Sequence, residues 1–110
     1  MSESAATDAV VVLVTTPTPE RAAEIARAVV SERLAACGNV VPGLRSIYRW
    51  EGKVQEDEEA LLLLKTTRAR FDALRARVLA LHPYDVPEVI ALPVEAGSAA
   101  YLQWIAAETR

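Results

Sequence analysis

Two short apolar runs, each followed by an amphipathic segment, organise the chain and predict an α+β fold. Residues 10–14 are valine or leucine and stand shortly before Pro17 and Pro19, which is typical of a strand that is buried on both faces. Residues 61–64 are four leucines and predict a second buried strand. Apolar residues recur at helical spacing after each run, so the order suggests two successive β-α-β units.

The first predicted helix has a clear start and a clear stop. Thr18 and Pro19 favour the cap and the first turn of a helix. Apolar positions continue at helical spacing as far as Ala36, and Gly38 is the kind of residue that ends a helix. We therefore expect helix one to begin at Pro19 and to stop at Gly38.

The second predicted helix begins after Thr66 or Thr67 and ends at His82, directly before a proline. Its apolar stripe consists of Phe71, Leu74, Val78 and Leu81. Ser98 predicts the cap of a short terminal helix.

A long hairpin is predicted between the two helices. Residues 39–50 have the character of a strand, with a bulge or bend expected at Pro42 and Gly43 because proline donates no ladder hydrogen bond. Residues 51–53 predict the turn, and the returning strand passes through a polar stretch into the leucine run. A fourth strand region is predicted over residues 86–95, interrupted by Pro93.

These elements predict a ferredoxin-like split βαβ sandwich, in the order βαββαβ followed by a C-terminal helix. Right-handed crossovers would place both main helices on one face of the sheet. The opposite face would then lack a cover, so the terminal helix or neighbouring subunits must close it.

Size and charge restrict the class of protein. A chain of 110 residues fits one domain, predicted over residues 9–110, after a disordered tail at residues 1–8. A net charge of -3 argues against nucleic-acid binding. No apolar run approaches the roughly 20 residues that cross a bilayer, and the start lacks the features of a signal peptide. With a single cysteine, the chain is expected in the cytoplasm.

Five segments together resemble the CutA family. They are residues 33–37 (RLAAC), 46–53 (SIYRWEGK), 64–66 (LKT), 82–88 (HPYDVPE) and 101–105 (YLQWI). The resemblance implies a homotrimer assembled through its sheets, similar in build to the nitrogen-regulatory PII proteins. It also implies a role in tolerance to divalent metal ions, copper above all.

Cys37 and His82 are the candidate metal ligands. Cys37 is either a small buried apolar residue at the end of helix one or a soft thiolate ligand for copper. His82 either caps carbonyls at the end of helix two or offers an imidazole to Cu(II). Copper-associated members of the family can carry a further cysteine and histidine where this chain has Val14 and Leu81, so we expect modest copper affinity at most.

Residues 56–58 are expected to be a solvated flank of the hairpin, whereas Glu59 adjoins the leucine run. Glu59 is therefore expected to face Lys65, Tyr84 or a neighbouring subunit and to form the wall of a pocket.

The aromatic residues lie mostly outside the apolar helix stripes, and we expect them at an interface. They are Tyr48, Trp50, Tyr84, Tyr101 and Trp104. The alternative is a cleft between subunits for a small ligand, in which Lys65 and either Arg45 or Arg49 would bind an anion.

The sequence favours a non-catalytic protein that binds an ion or a small ligand between subunits. It has none of the common nucleophile, metalloprotease or phosphate-binding motifs. Two alternatives stay open at this stage. One is an enzyme that uses Glu59, Lys65 and His82 for acid-base chemistry, and the other is a trimeric scaffold without a ligand.

Overall fold

A four-stranded antiparallel sheet forms the centre of the structure, a computed structural model that describes residues 7–110. The elements are β1 (Ala9–Thr16), α1 (Pro19–Ser31), β2 (Cys37–Trp50), β3 (Lys53–Thr67), α2 (Arg68–Leu81), β4 (Val89–Pro93) and α3 (Ala99–Glu108). The strands lie in the order β2-β3-β1-β4 in the sheet. This arrangement confirms the predicted ferredoxin-like fold with a C-terminal helix. Within residues 7–110, no helix has the length and apolar composition that crossing a membrane requires.

The core lies between one face of the sheet and the helices α1 and α2. Alternate residues of the two central strands point to this face because side chains alternate along a strand. They pack against buried residues of both helices, and the cluster includes Val12, Val14, Ile25, Val29, Leu62, Leu64, Leu74 and Val78. The predicted stripe of α2 is therefore confirmed, with Leu74 and Val78 fully buried.

The other face of the sheet, which we call the open face, is also apolar. Leu13 lies between Leu63 of β3 and Ile90 of β4 in one cross-strand row. Within residues 7–110, helix α3 covers one end of this face, where Ile105 packs on Ala9. Ile90 remains 49% exposed, so the chain leaves much of this apolar surface in contact with water.

Helix α1 ends at Ser31, and the predicted stop at Gly38 was wrong. Arg33 adopts a left-handed conformation, with φ 62°, and the Leu34 N–H donates to the Val29 carbonyl in a Schellman arrangement. The Arg33 guanidinium also donates to the carbonyls of Ala107 and Arg110 at the end of α3. A contact distant in sequence thus helps to hold a conformation that arginine rarely adopts.

Gly38 and Cys37 belong to β2 as a result, so Cys37 does not lie at the end of a helix. Strand β4 is also shorter than the predicted region and ends at Pro93. Residues 1–6 of the predicted tail lie outside the described residues. The two remaining tail residues are hydrogen-bonded, since the Thr7 hydroxyl donates to the Val94 carbonyl and the Asp8 carbonyl accepts from the Arg68 N–H.

The predicted bulge in β2 is confirmed, and it changes which side chains share a face. Val41 is paired with Leu61, but Leu44 is paired with Glu59, so the register shifts by one residue between them. A shift of one residue exchanges the two faces of a strand. Tyr48 therefore points to the same side of the hairpin as Glu59. The hairpin closes at Glu51 and Gly52, whose positive φ values of 52° and 78° fit a type I′ turn.

We expect Gly38→Ala to destabilise the fold by about 1–3 kcal/mol through overpacking. A Cβ at Gly38 would lie 3.0 Å from the Ala26 Cβ and 3.2 Å from the Leu64 Cδ2. Gly97→Ala is the matched control, because its Cβ would meet Leu102 at 3.4 Å, an ordinary contact. Chemical unfolding of both variants at one protein concentration measures the difference. Equal midpoints would show that β2 can move away from α1 without cost.

Candidate functional site

A cleft of about 650 Å³ lies where the hairpin, the end of β1 and the segment between α2 and β4 meet. Its wall contains three aromatic and three acidic side chains. They are Tyr48, Trp50 and Tyr84, and Glu59, Asp85 and Glu88. The shift in register at the bulge places Tyr48 and Trp50 on the side of the hairpin that carries Glu59.

Glu59 is the deepest acidic group of this cleft. Glu59 lies where the polar half of β3 meets the leucine run, and the residue is only 8% exposed. The Tyr84 hydroxyl donates a hydrogen bond to Glu59 Oε2 at 2.6 Å. Burial raises the pKa of Tyr84 above its usual value near 10, and the hydrogen bond and negative charge of Glu59 raise it further. Tyr84 is therefore a firmly protonated donor.

A second tyrosine–carboxylate pair lies beside the first. The Tyr48 hydroxyl donates to Asp57 across the hairpin. This hydrogen bond is the main cause that raises the pKa of Tyr48, and the charge of Glu59 contributes as well. Both phenols thus keep their protons and donate to carboxylates, which gives the cleft wall a fixed polar pattern.

His82 fixes the segment that carries Tyr84. Its Nδ1 accepts a hydrogen bond from the Tyr84 N–H at 3.1 Å, and its Nε2 lies 2.7 Å from the Thr15 carbonyl oxygen. The carbonyl can only accept, so the ring proton is assigned to Nε2. Its ring therefore bonds to the end of β1 and not to the last carbonyls of α2. A metal ion at His82 would have to displace one of these two hydrogen bonds.

Cys37 lies in another part of the sheet. It is paired with Lys65 on β3, whereas Thr15, the partner of His82, is opposite Leu61. Four residues of strand separate these pairs by roughly 13 Å. The Cys37 thiol is 3.7 Å from Asn39 Oδ1, which also accepts from the Lys65 ammonium. Cys37 and His82 are therefore not brought together within one chain.

A closed metal site does not fit the donors of a single chain. In the part of the chain that the structure describes, no three His, Cys, Asp or Glu side chains are grouped closely enough to hold an ion. Metal ions in proteins usually take four or more ligands. Any ion bound here must recruit water, backbone oxygens or a neighbouring chain.

The structure brings together four of the residues predicted for a cleft or an interface: Tyr48, Trp50, Glu59 and Tyr84. Lys65 is instead directed to Asn39, and Trp104 lies on α3 with its ring 5.5 Å from that of Tyr101. Arg45, one of the predicted anion-binding groups, forms an exposed ion pair with Glu56 at 3.4 Å.

Asp85 and Glu88 line the cleft but were missed from the sequence. Asp85 lies between Pro83 and Pro87 and Glu88 directly follows Pro87, and loop residues of this kind carry no periodic signal. The prolines and polar residues indicate a loop, and loops often carry binding groups. The sequence holds no signal for which element that loop would face.

The chain is similar in sequence to known proteins along nearly its whole length. Residues 10–108 match the family model described as CutA1 divalent ion tolerance protein. Divalent-cation tolerance protein CutA of Thermus thermophilus is 59% identical over 90% of this chain and 96% of its own. The chloroplastic protein CutA 1 of rice is 50% identical over 99% of this chain, which spans 62% of the rice protein.

The fold is also similar to that of solved structures. The solved structure of the divalent cation tolerance protein from Thermus thermophilus matches with a TM-score of 0.90 at 57% identity. The match covers 93% of this chain and 99% of that one. Sequence and architecture therefore point to the same group of proteins.

We expect Glu59→Gln to lower the pKa of Tyr84 without returning it to its ordinary value. Removing a neighbouring negative charge makes the phenolate easier to form, while burial of the ring remains. Tyr48→Phe and Tyr101→Phe leave Tyr84 as the only tyrosine of the three. Its tyrosinate absorbance is then measured about one pH unit above the ordinary pKa of about 10.

Glu58→Gln is the control for this titration, because it removes the same charge from an exposed neighbour. Tyr84 should ionise more in Glu59→Gln than in Glu58→Gln at the same pH. Identical titration curves would mean that Glu59 does not influence the Tyr84 phenol.

Proposed function

Because this chain belongs to the CutA1 divalent ion tolerance protein family, we propose that it acts in tolerance to divalent cations as a non-catalytic homotrimer. The observation that carries the assembly is the uncovered apolar side of the sheet. We further propose that the cleft takes up an ion or small ligand at a boundary between subunits. The single cysteine, which needs no oxidising compartment, supports action in the cytoplasm.

The open face supports association with identical chains. Leu13, Leu63 and Ile90 form a continuous apolar row, and Leu92 adds a side chain that is 49% exposed. Contiguous apolar surface of this kind usually marks an interaction site. Packing three sheets against one another would remove it from water, and the number three comes from the family resemblance.

The hairpin supports the same proposal. The molecule is elongated, with extents of 50 × 27 × 23 Å, and the two longest strands form this hairpin. Ile47 and Val54 are each 65% exposed. Exposed apolar side chains on a hairpin that projects from its own core gain burial when the hairpin lies on a neighbouring subunit.

The cleft supports binding more than catalysis. Its most buried acidic group, Glu59, accepts a hydrogen bond from Tyr84, and the ring nitrogens of His82 are both engaged within the chain. Acid-base catalysis needs a group that is free to exchange its proton with a substrate. The sequence left open an enzyme with Glu59, Lys65 and His82 in one catalytic site. In the structure, Lys65 is hydrogen-bonded to Asn39, whereas Glu59 is hydrogen-bonded to Tyr84 in the cleft.

Copper is the divalent ion that we propose for this protein, bound with groups from two subunits. The ligand count supports this arrangement, because one chain contributes one thiol and one imidazole at separate places. Displacing the Tyr84 N–H from His82 leaves a donor without its partner, at a cost of about 1–3 kcal/mol. That cost lowers the affinity of any copper site that uses Nδ1 of His82.

Light scattering coupled to size exclusion should report three chains of 11.9 kDa each. We expect Trp50→Ala to weaken assembly more than Arg75→Ala, because a buried interface aromatic loses far more contact area. Arg75 is a suitable control, since it lies on α2 and pairs with Asp72 of the same helix. A monomer at micromolar concentration would contradict the trimer, and equal effects would place Trp50 outside the interface.

Calorimetry with Cu(II) should show weak binding that is lost in His82→Ala and retained in Cys37→Ser. The imidazole is the better ligand for Cu(II), whereas a thiolate favours Cu(I). The assembly state of each variant is checked by light scattering, so that a loss of binding can be separated from a loss of structure. Tight binding that survives His82→Ala would move the site to the carboxylates of the cleft.

A further inference from the structure

Among residues 7–110, Glu59 is a nearly buried carboxylate without a cationic partner. It is 8% exposed and accepts one hydrogen bond from the neutral Tyr84 hydroxyl. Five ion pairs occur in this described part of the chain, and none of them includes Glu59. Buried carboxylates are almost always paired with a cation or coordinated to one. The charge of Glu59 therefore lacks the compensation that a lysine or arginine would supply.

The remaining wall of the cleft does not provide that compensation either. Asp85 and Glu88 add two further carboxylates, and the described residues that line the cleft include no lysine or arginine. Lys65 is six residues away along β3, roughly 20 Å, and is bound to Asn39. The potential in the cleft is consequently negative, which disfavours the anionic ligand that the sequence suggested.

The size and the aromatic content of the cleft restrict the kind of cation. A space of about 650 Å³ is within the range of small-molecule sites and far exceeds what a bare ion fills. A metal ion also needs several oxygen ligands at close range, and the described residues offer no such group. Aromatic faces such as those of Trp50 and Tyr48 attract organic cations through the ring quadrupole.

We propose that the cleft binds an organic ammonium ion, with its charged nitrogen at Glu59 and its alkyl groups against Tyr48 and Trp50. The inference rests on the proposed function only in using the same cleft, and it names the chemical class of the small ligand. The ammonium group supplies the missing positive charge, while Tyr84 holds the Glu59 carboxylate in place.

Calorimetric titration of the full chain with n-butylammonium tests this proposal. The matched probes are 1-butanol, which has the same alkyl chain without charge, and butyrate, which carries a negative charge. We expect butylammonium to bind at least about tenfold more tightly than either. Equal binding of 1-butanol or tighter binding of butyrate would overturn the proposal.

Glu59→Gln and Glu58→Gln give the matched comparison on the protein side. The side-chain carbonyl introduced by Glu59→Gln can still accept from the Tyr84 hydroxyl, so this variant is expected to fold. We expect about a tenfold loss of butylammonium affinity in Glu59→Gln and no change in Glu58→Gln. Glu88→Gln, in an exposed loop position, should cause a smaller loss without a risk to the fold. Equal affinities in the Glu59 and Glu58 variants would overturn the proposal.

Two further measurements separate this inference from the proposed function. Mg²⁺ is added to the butylammonium titration, and complete displacement that depends on Glu59 would identify a metal ion as the true ligand and overturn the inference. Trimer formation and copper binding are measured independently. A copper-binding trimer that does not distinguish butylammonium from 1-butanol overturns this inference alone, whereas a monomer that binds butylammonium through Glu59 overturns the assembly alone.

Discussion

The structure depends on one constraint, which is that its two central strands are apolar on both faces while the chain provides main helices for only one of them. Val12 and Leu62 are covered by α1 and α2, but Leu13 and Leu63 in the neighbouring positions are not. Helix α3 reaches only the end of the second face, around Ala9. The backbone topology is thus complete, but much of one apolar face of the sheet is not buried within the chain. Association with another chain would bury it.

The cleft follows from the same arrangement. The hairpin extends beyond the helices, so its side chains form a wall without being buried by their own core. The segment after α2 returns past the end of β1, where His82 bonds to Thr15 and sets Tyr84 against Glu59. The buried carboxylate of Glu59 is thereby hydrogen-bonded to a neutral donor, and the acidic groups around it do not compensate its negative charge. Assembly and ligand binding would therefore use adjoining parts of one surface.

Much of the fold could be predicted from the sequence, because periodicity and turn residues act locally. The strand before Pro17, the stripe of α2 and the break at Pro42 all appeared where the pattern placed them. The end of α1 could not be predicted, since apolar residues continue to Ala36 and the actual stop depends on Arg33 reaching the carbonyls of α3, more than seventy residues away.

The candidate site was predictable to a lesser degree, and the bulge in β2 explains why. Its position was visible in the sequence, but its effect on the facing of Tyr48 and Trp50 requires knowledge of the pairing with β3. This dependence has a genetic consequence. Most single substitutions in the hairpin alter one side chain, whereas loss of one codon among residues 54–58 of β3 would place Glu59 on the opposite side of the hairpin from Tyr48 and Trp50. Over evolutionary time, this segment of β3 should therefore tolerate changes of residue type more readily than changes of length.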